Sequence, residues 1–225
     1  MPGTDGGGAV VRAPLSRERI VGVAIELVDR GGLESLSMRT LGRELGVEAM
    51  SLYNHVENKD DLLDGMLDTV VGEIDLPDAG ADWKEAIRVR AISAHDVFAR
   101  HSWASVLIDS RRSASAVRFR YYDAVIGSLR QGGFSLELTA HAFSILDSYI
   151  KGFALQETSM SFERDRDLAE TAEMLLQAIA TDYPYLAELT EHTLSAGHSY
   201  QAQFEFGLDL ILDALDRARI PEAGG

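Results

Sequence analysis

The 225-residue sequence contains no cysteine, which excludes disulfides and thiolate metal sites and fits a cytoplasmic protein. No apolar run is long enough to span a bilayer, and the N-terminus lacks a charged-then-apolar leader, so no membrane partner is expected. No stretch alternates apolar and polar residues with period two, which argues against a β-sheet. Catalytic signatures are missing as well: there is no glycine-rich phosphate loop, no nucleophile elbow and no His-Glu-x-x-His pair. The six histidines are scattered, at 55, 95, 101, 141, 192 and 198. An enzyme is therefore not expected, and nothing in the sequence asks for a cofactor or a metal.

Basic residues are also scarce. The net charge of −15 argues against general affinity for nucleic acid. Its distribution is uneven, because residues 1–60 carry 7 basic and 9 acidic side chains, a net of −2, which leaves −13 for the remainder. A near-neutral head on an acidic body would bind DNA through a few placed contacts rather than a broad basic field.

What is present is a helix-turn-helix pattern from Ser37 to Val56. Leu41 and Leu45 share one face of a first helix, and Gly46 falls where a left-handed residue ends it. Val47 supplies an apolar contact at the turn, and Leu52 and Val56 form the inward stripe of a second helix. Met50, Ser51 and Asn54 then face outward, with Tyr53 and His55 on the flanks. Such a helix, braced across a glycine turn, can enter a major groove; an ordinary helical hairpin fits the same spacing.

The surrounding chain extends the pattern. Residues 1–14 are glycine-rich and aperiodic and are expected to form a disordered arm, and residues 15–60 the DNA-binding domain. Ser16 caps a first helix running to about Arg30 before Gly31-Gly32. Asn58 can cap a further helix with Asp61 as its capping-box partner, and residues 61–76 form a connecting helix. Lys59 on its first turn is a natural phosphate seat, weakened by Asp60 and Asp61. Pro77–Asp82 is the clearest break, and the hinge between functions is placed there. Residues 83–220 read as a C-terminal domain of helices over Trp83–Arg100, Val117–Arg130, Leu136–Gln156, Leu168–Ala180 and Tyr200–Arg219. The fold class is all-α. The last helix and that from Leu136 are apolar on more than one side, so each must be buried on more than one side. A monomer core satisfies this, as does a four-helix dimer bundle. The dimer is favoured because one helix-turn-helix spans only one half-site, with Phe143, Ile150, Phe204, Leu208, Ile211 and Leu215 as its interface.

Taken together, Arg39 to Val47, Ser51 to Val56 and Asn58 to Leu63 resemble the N-terminal domain of the TetR family of tetracycline-repressor-like transcription factors. A weaker likeness to the tetracycline-repressor type of C-terminal domain continues through Trp83, Gly132 to Glu137, Gly152 to Gln156 and Phe204 to Leu212. The resemblance implies a homodimeric, ligand-responsive repressor of a palindromic operator, with an N-terminal three-helix DNA-binding domain and a C-terminal ligand-binding and dimerisation domain. By matching position, Ser37 and Lys59 would contact phosphates. Arg39, Ala49, Met50, Ser51, Tyr53, Asn54 and His55 would lie at or near the bases. The chemistry agrees, since arginine takes guanine bidentately and asparagine takes adenine.

The family's magnesium–drug site carries over poorly. Its histidine corresponds to Ile108 or Asp109 and its carboxylate to Gln156, which supply little of the oxygen charge that magnesium wants. The chain is therefore expected not to sense magnesium–tetracycline, although Glu157 or Asp109 would be the carboxylates to restore a metal site. Arg90 and Val125 match polar drug-binding positions. The candidate ligand site joins Arg90 and Gln156 to His95, Phe98, Trp103, Tyr122, Asp147, Tyr149, Phe153 and Met160, an aromatic set with a few polar handles that suits a small organic effector. Core packing is the competing reading for each. A helical protein-interaction module without DNA binding, and a hydrolytic enzyme with convergent residues, are the alternatives to a regulator.

Overall fold

A computed structural model describes residues 14–111, 115–161, 181–196 and 199–219, with side chains omitted at 158–161 and 193–196. The described residues form helices and loops with no strand. The chain divides into two compact units, residues 1–66 and residues 67–225. Of the expected arm only Pro14 is described, and the expected helix Leu168–Ala180 lies outside the described residues.

In the first unit, α1 spans Arg17–Gly31, and the Ser16 side chain accepts from the Arg19 amide. Ile20, Val21, Ala24, Ile25 and Val28 form its buried face, and Gly32, at φ 70°, ends it. A 3₁₀ turn, Leu33–Ser35, leads to α2, Met38–Leu45. A reciprocal capping box opens α2: the Thr40 amide donates to Ser37 Oγ, and the Ser37 amide donates to Thr40 Oγ1. Gly46, at φ 69° and ψ 35°, closes it in the left-handed conformation. Gly42 permits the next turn, because a Cβ there would lie 2.9 Å from the Val47 carbonyl oxygen and 3.2 Å from the Ala49 nitrogen.

The second helix of the motif, α3, is a single turn, Ala49–Leu52. The expected helix to Val56 is replaced beyond Leu52 by tight turns, in which the amides of His55 and Val56 donate to the Leu52 carbonyl at 2.9 and 3.1 Å. Asn54, His55 and β-branched Val56 are modest helix formers, so one turn suffices to bury Leu52 and Val56.

The next helix, α4, spans Lys59–Val71. The division between units falls inside it, between Met66 and Leu67, and not at Pro77–Asp82. The reason is visible in the later residues. Asp68 accepts from Arg118 Nε at 3.0 Å, Glu73 lies 3.1 Å from Arg100, and the Asp75 amide donates to Ser93 Oγ at 2.9 Å. These contacts bind the end of α4 and the segment that follows it into the second unit.

That unit is built around α5, Trp83–Arg100, opened by the Asp82 carboxylate accepting from the Lys84 amide. It packs against α6 (Ser102–Ser110), α7 (Ala116–Gln131), α8 (Leu136–Ser161) and α10 (Tyr200–Ala218); α9 is Pro184–Ala196. Ile87, Ala91 and Ala94 give α5 small and branched surfaces that let four helices approach it. A corner is closed where Trp83 meets Phe134 edge-on at 4.7 Å and Arg219 donates to the Gly132 carbonyl.

The two-sided apolar helices resolve into one buried side and one open side. On α10, Phe204, Leu208, Leu212 and Leu215 are buried, whereas Phe206 and Leu210 are 69% and 56% exposed. On α8, Ala142, Leu146, Ile150 and Ala154 are buried, whereas Ile145 and Leu155 are exposed. This corrects the expected dimer interface. Ile150, Phe204, Leu208 and Leu215 lie in the core of their own chain and have no surface to offer a partner. Phe143 and Ile211 are half-buried.

Candidate nucleic-acid interface and effector site

The first unit presents its motif as the spacing requires. Leu41, Leu45, Leu52 and Val56 are buried, leaving Met50 at 75% exposure, with Tyr53 and Asn54 also exposed. Ser51, Ala49 and His55 are half-buried on the flanks, and Arg39 is exposed on α2. Ser37 is exposed at the N-terminus of α2, where its hydroxyl is already engaged with Thr40. Lys59 is anchored, because its Nζ donates to the Leu36 carbonyl at 2.8 Å and keeps two further donors.

The start of α4 differs from the sequence reading in one respect. Asn58 Oδ1 accepts from the Asp61 amide at 2.9 Å, as a cap should. The Asp61 carboxylate does not complete the box on Asn58; it accepts from the Glu57 amide at 2.9 Å and from both terminal nitrogens of Arg17 at 2.7 Å. The Arg17 guanidinium holds the Asp61 carboxyl below its ordinary range. Of the two charges expected to weaken the Lys59 phosphate seat, that of Asp61 is thus neutralised from α1.

In the second unit two groups of aromatic residues stand apart from the Trp83–Phe134 and His101–Trp103 pairs. One surrounds His95, which stacks on Phe204 at 4.1 Å and meets Phe153 edge-on at 5.8 Å. Tyr149 stacks on Phe204 at 5.3 Å and donates its hydroxyl to the Phe204 carbonyl at 2.9 Å. Gly207 leaves the room this needs, since a Cβ there would collide with the Tyr149 hydroxyl. Phe204, expected between protomers, therefore belongs to this cluster. Glu157 Oε2 lies 3.1 Å from His95 Nε2, and both atoms are buried without a hydrogen bond.

The other group surrounds Arg90, whose guanidinium sits 4.6 Å above the Tyr121 ring. Tyr121 meets Tyr122 edge-on at 5.3 Å, and Tyr122 meets Phe143 at 5.8 Å. Burial raises the Tyr122 hydroxyl above its usual range. Asp147 is held by Lys151 at 2.7 Å, and Lys151 also reaches Asp109 at 2.5 Å. Burial alone would lower the Lys151 ammonium, but its bonds to the two carboxylates outweigh that and raise it.

Gln156 is exposed, and its neighbour Glu157 is the residue turned toward His95, a correction by one position along α8. Phe98 is fully buried and Trp103 is buried beside His101, at 6.3 Å between rings. The Met160 side chain lies outside the described residues. Asp109 is committed to the Lys151 ammonium, and among the described residues no three His, Asp or Glu side chains converge on a metal position. Tyr121 went unnoticed in the sequence, although it shares the helical spacing of the buried residues Val125 and Leu129.

Comparison with known proteins agrees with this architecture. Residues 20–66 match the family described as bacterial regulatory proteins, tetR family, and residues 76–218 match the tetracyclin repressor-like C-terminal domain. An HTH-type transcriptional regulator of Saccharopolyspora erythraea is 34% identical over 202 residues, covering 88% of this chain and 83% of that protein. The HTH-type transcriptional repressor DrrR1 of Streptomyces coeruleorubidus is 32% identical over 214 residues, covering 90% and 77%. The crystal structure of ActR from Streptomyces coelicolor in complex with actinorhodin superposes with a TM-score of 0.73 at 29% identity, covering 92% of this chain and 99% of that one. No described helix is long and apolar enough to cross a membrane. With both domains matched in order, the chain belongs to the TetR family of bacterial regulatory proteins: it is a DNA-binding transcriptional regulator and not an enzyme.

Proposed function

We propose that this regulator represses from a palindromic operator as a cytoplasmic homodimer and is released by a small organic effector bound in its second unit. The observation that carries the DNA-facing assignment is the exposed face of α3, where Met50, Tyr53 and Asn54 stand out from a motif whose apolar side chains are buried. Arg39 and Asn54 read base edges, and Ala49 and Met50 give apolar contact, for example to a thymine methyl. Ser51, Tyr53 and His55 lie at the bases or the adjoining backbone. Ser37 and Lys59 take phosphates, Lys59 from a position pinned by Leu36.

The dimer uses apolar side chains that the monomer leaves open, Leu155 on α8 with Phe206 and Leu210 on α10. Fixed spacing of the two heads matters because successive major grooves recur about every 34–36 Å. The effector site is the aromatic region of α5, α7 and α8 that includes Arg90, His95, Tyr122, Asp147, Tyr149 and Phe153. Ile108 and Gln156 at positions matching the family's metal ligands, and the Lys151 ammonium between Asp109 and Asp147, favour an effector that needs no metal. Release is a population shift in which α4 moves; it carries Asp61, paired with Arg17, and Asp68, paired with Arg118. An effector that empties the operator must favour the released conformer by about 5 kcal/mol.

The test is retardation of DNA fragments flanking the coding gene. A palindromic fragment should be retarded by the purified chain, and the Arg39→Ala and Asn54→Ala variants should lose that binding while staying folded. Failure to retard any flanking fragment, with dimerisation intact, would favour the protein-interaction reading.

A further inference from the structure

Arg90 is in an unusual position for a charged residue. It is 1% exposed, and its Nε and Nη2 atoms have no hydrogen-bond partner. Leaving the donors of a buried cation unmade is costly, so such a group normally sits against a carboxylate. Here the carboxylate whose charge acts on Arg90, Asp147, is in direct contact with Lys151 at 2.7 Å, and reaches Arg90 only through space. Burial pushes the Arg90 guanidinium down to about 10, so it remains charged at neutral pH. Its face is covered by the Tyr121 ring at 4.6 Å, and the Tyr121 hydroxyl is itself buried without a partner. A guanidinium from α5 and a tyrosine from α7 are thus stacked on one another, each with buried polar atoms that have no partner.

We propose that the effector is a flat aromatic acid whose carboxylate takes the free Nε–H and Nη2–H of Arg90 and the Tyr121 hydroxyl. This inference rests on the effector site proposed above and adds its charge class. A guanidinium offers two parallel N–H donors at the spacing of a carboxylate, which neutral amides and esters cannot match in charge. The neighbouring rings of Tyr121, Tyr122 and Phe143 suit an aromatic frame by edge and face contacts. Arg90 is then a residue kept for binding at the expense of the unliganded fold, and this separates it from a structural arginine.

The test uses the full chain and a panel of benzoate, 2-naphthoate and anthracene-2-carboxylate, each beside its primary amide. Binding is read by thermal shift and by tryptophan fluorescence. At least one acid should raise Tm and bind at least tenfold more tightly than its amide. Arg90→Met should abolish the preference for acid over amide and should raise Tm of the unliganded protein, while Arg90→Lys keeps part of the preference. Equal binding of acid and amide, no binding of any acid, or a preference that survives in Arg90→Met would each overturn the proposal. So would a lower unliganded Tm in Arg90→Met, which would mark a structural role. Failure of that variant to fold would overturn it in the same way. Retardation of flanking DNA, measured in parallel, separates the two readings: DNA binding without acid binding removes only this inference, whereas acid binding without DNA binding removes the repressor assignment.

Discussion

Arg17 and Asp61 stand 44 residues apart in the chain and meet side by side, each terminal nitrogen of the guanidinium 2.7 Å from a carboxylate oxygen. The pair fastens the start of α4 to the start of α1, and it places Asp61, two residues from Lys59, under a counter-charge. Paired donors of this kind are more directional than a lysine contact, although partial exposure screens them.

Breaking that pair should loosen the first unit. Asp61→Asn is expected to cost about 0.5–1 kcal/mol of stability at pH 7, read from urea midpoints. Because the folded-state carboxyl is held below its ordinary value, the pair contributes fully above the unfolded carboxyl range and loses its effect as pH falls through the folded value. The wild type should therefore lose its advantage over Asp61→Asn on acidification below about pH 4. A difference that stays constant to pH 2.5 would refute the linkage.

Base readers and phosphate holders should separate by salt and sequence. Arg39→Ala should cost about 1–3 kcal/mol on the operator and relax base preference, whereas Lys59→Ala should weaken all DNA alike and lower the salt slope by about 1. Fluorescence anisotropy across a salt series and a set of mutated operators measures both. If neither substitution changes operator affinity, this face does not read DNA.

Gly42 is predicted to tolerate no side chain. A Cβ would press on the Val47 carbonyl and the Ala49 backbone, which cannot rotate away as a flexible side chain would. Gly42→Ala should cost about 1–3 kcal/mol and reposition α3, with a loss of operator binding larger than the loss of fold. Circular dichroism melts beside DNA titrations would show it, and an alanine variant with wild-type DNA affinity would contradict it.

The open apolar side of α10 should govern assembly. Phe206→Glu with Leu210→Glu is expected to give a folded monomer by light scattering, because both side chains are exposed in the single chain. Leu208→Ala should instead destabilise each chain by about 2–5 kcal/mol, as a deletion in a packed core. A stable dimer in the double variant would place the interface elsewhere.

What the linear chain determined by itself was local. Ser16, Ser37 and Asn58 cap their helices through atoms three residues away, and Gly46 adopts the left-handed turn its position demands. Leu41, Leu45, Leu52 and Val56 likewise follow from spacing within one motif. Only the tertiary structure chose between two equally apolar sides of α10, burying Phe204 and Leu208 while leaving Phe206 and Leu210 open, because the choice depends on where α5 and α8 lie. It also decided that Glu157 and not Gln156 faces His95, that Asp61 answers to Arg17, and that Arg90 is sealed in beside Tyr121. Each of these joins residues far apart in sequence, where helical periodicity carries no information about partners.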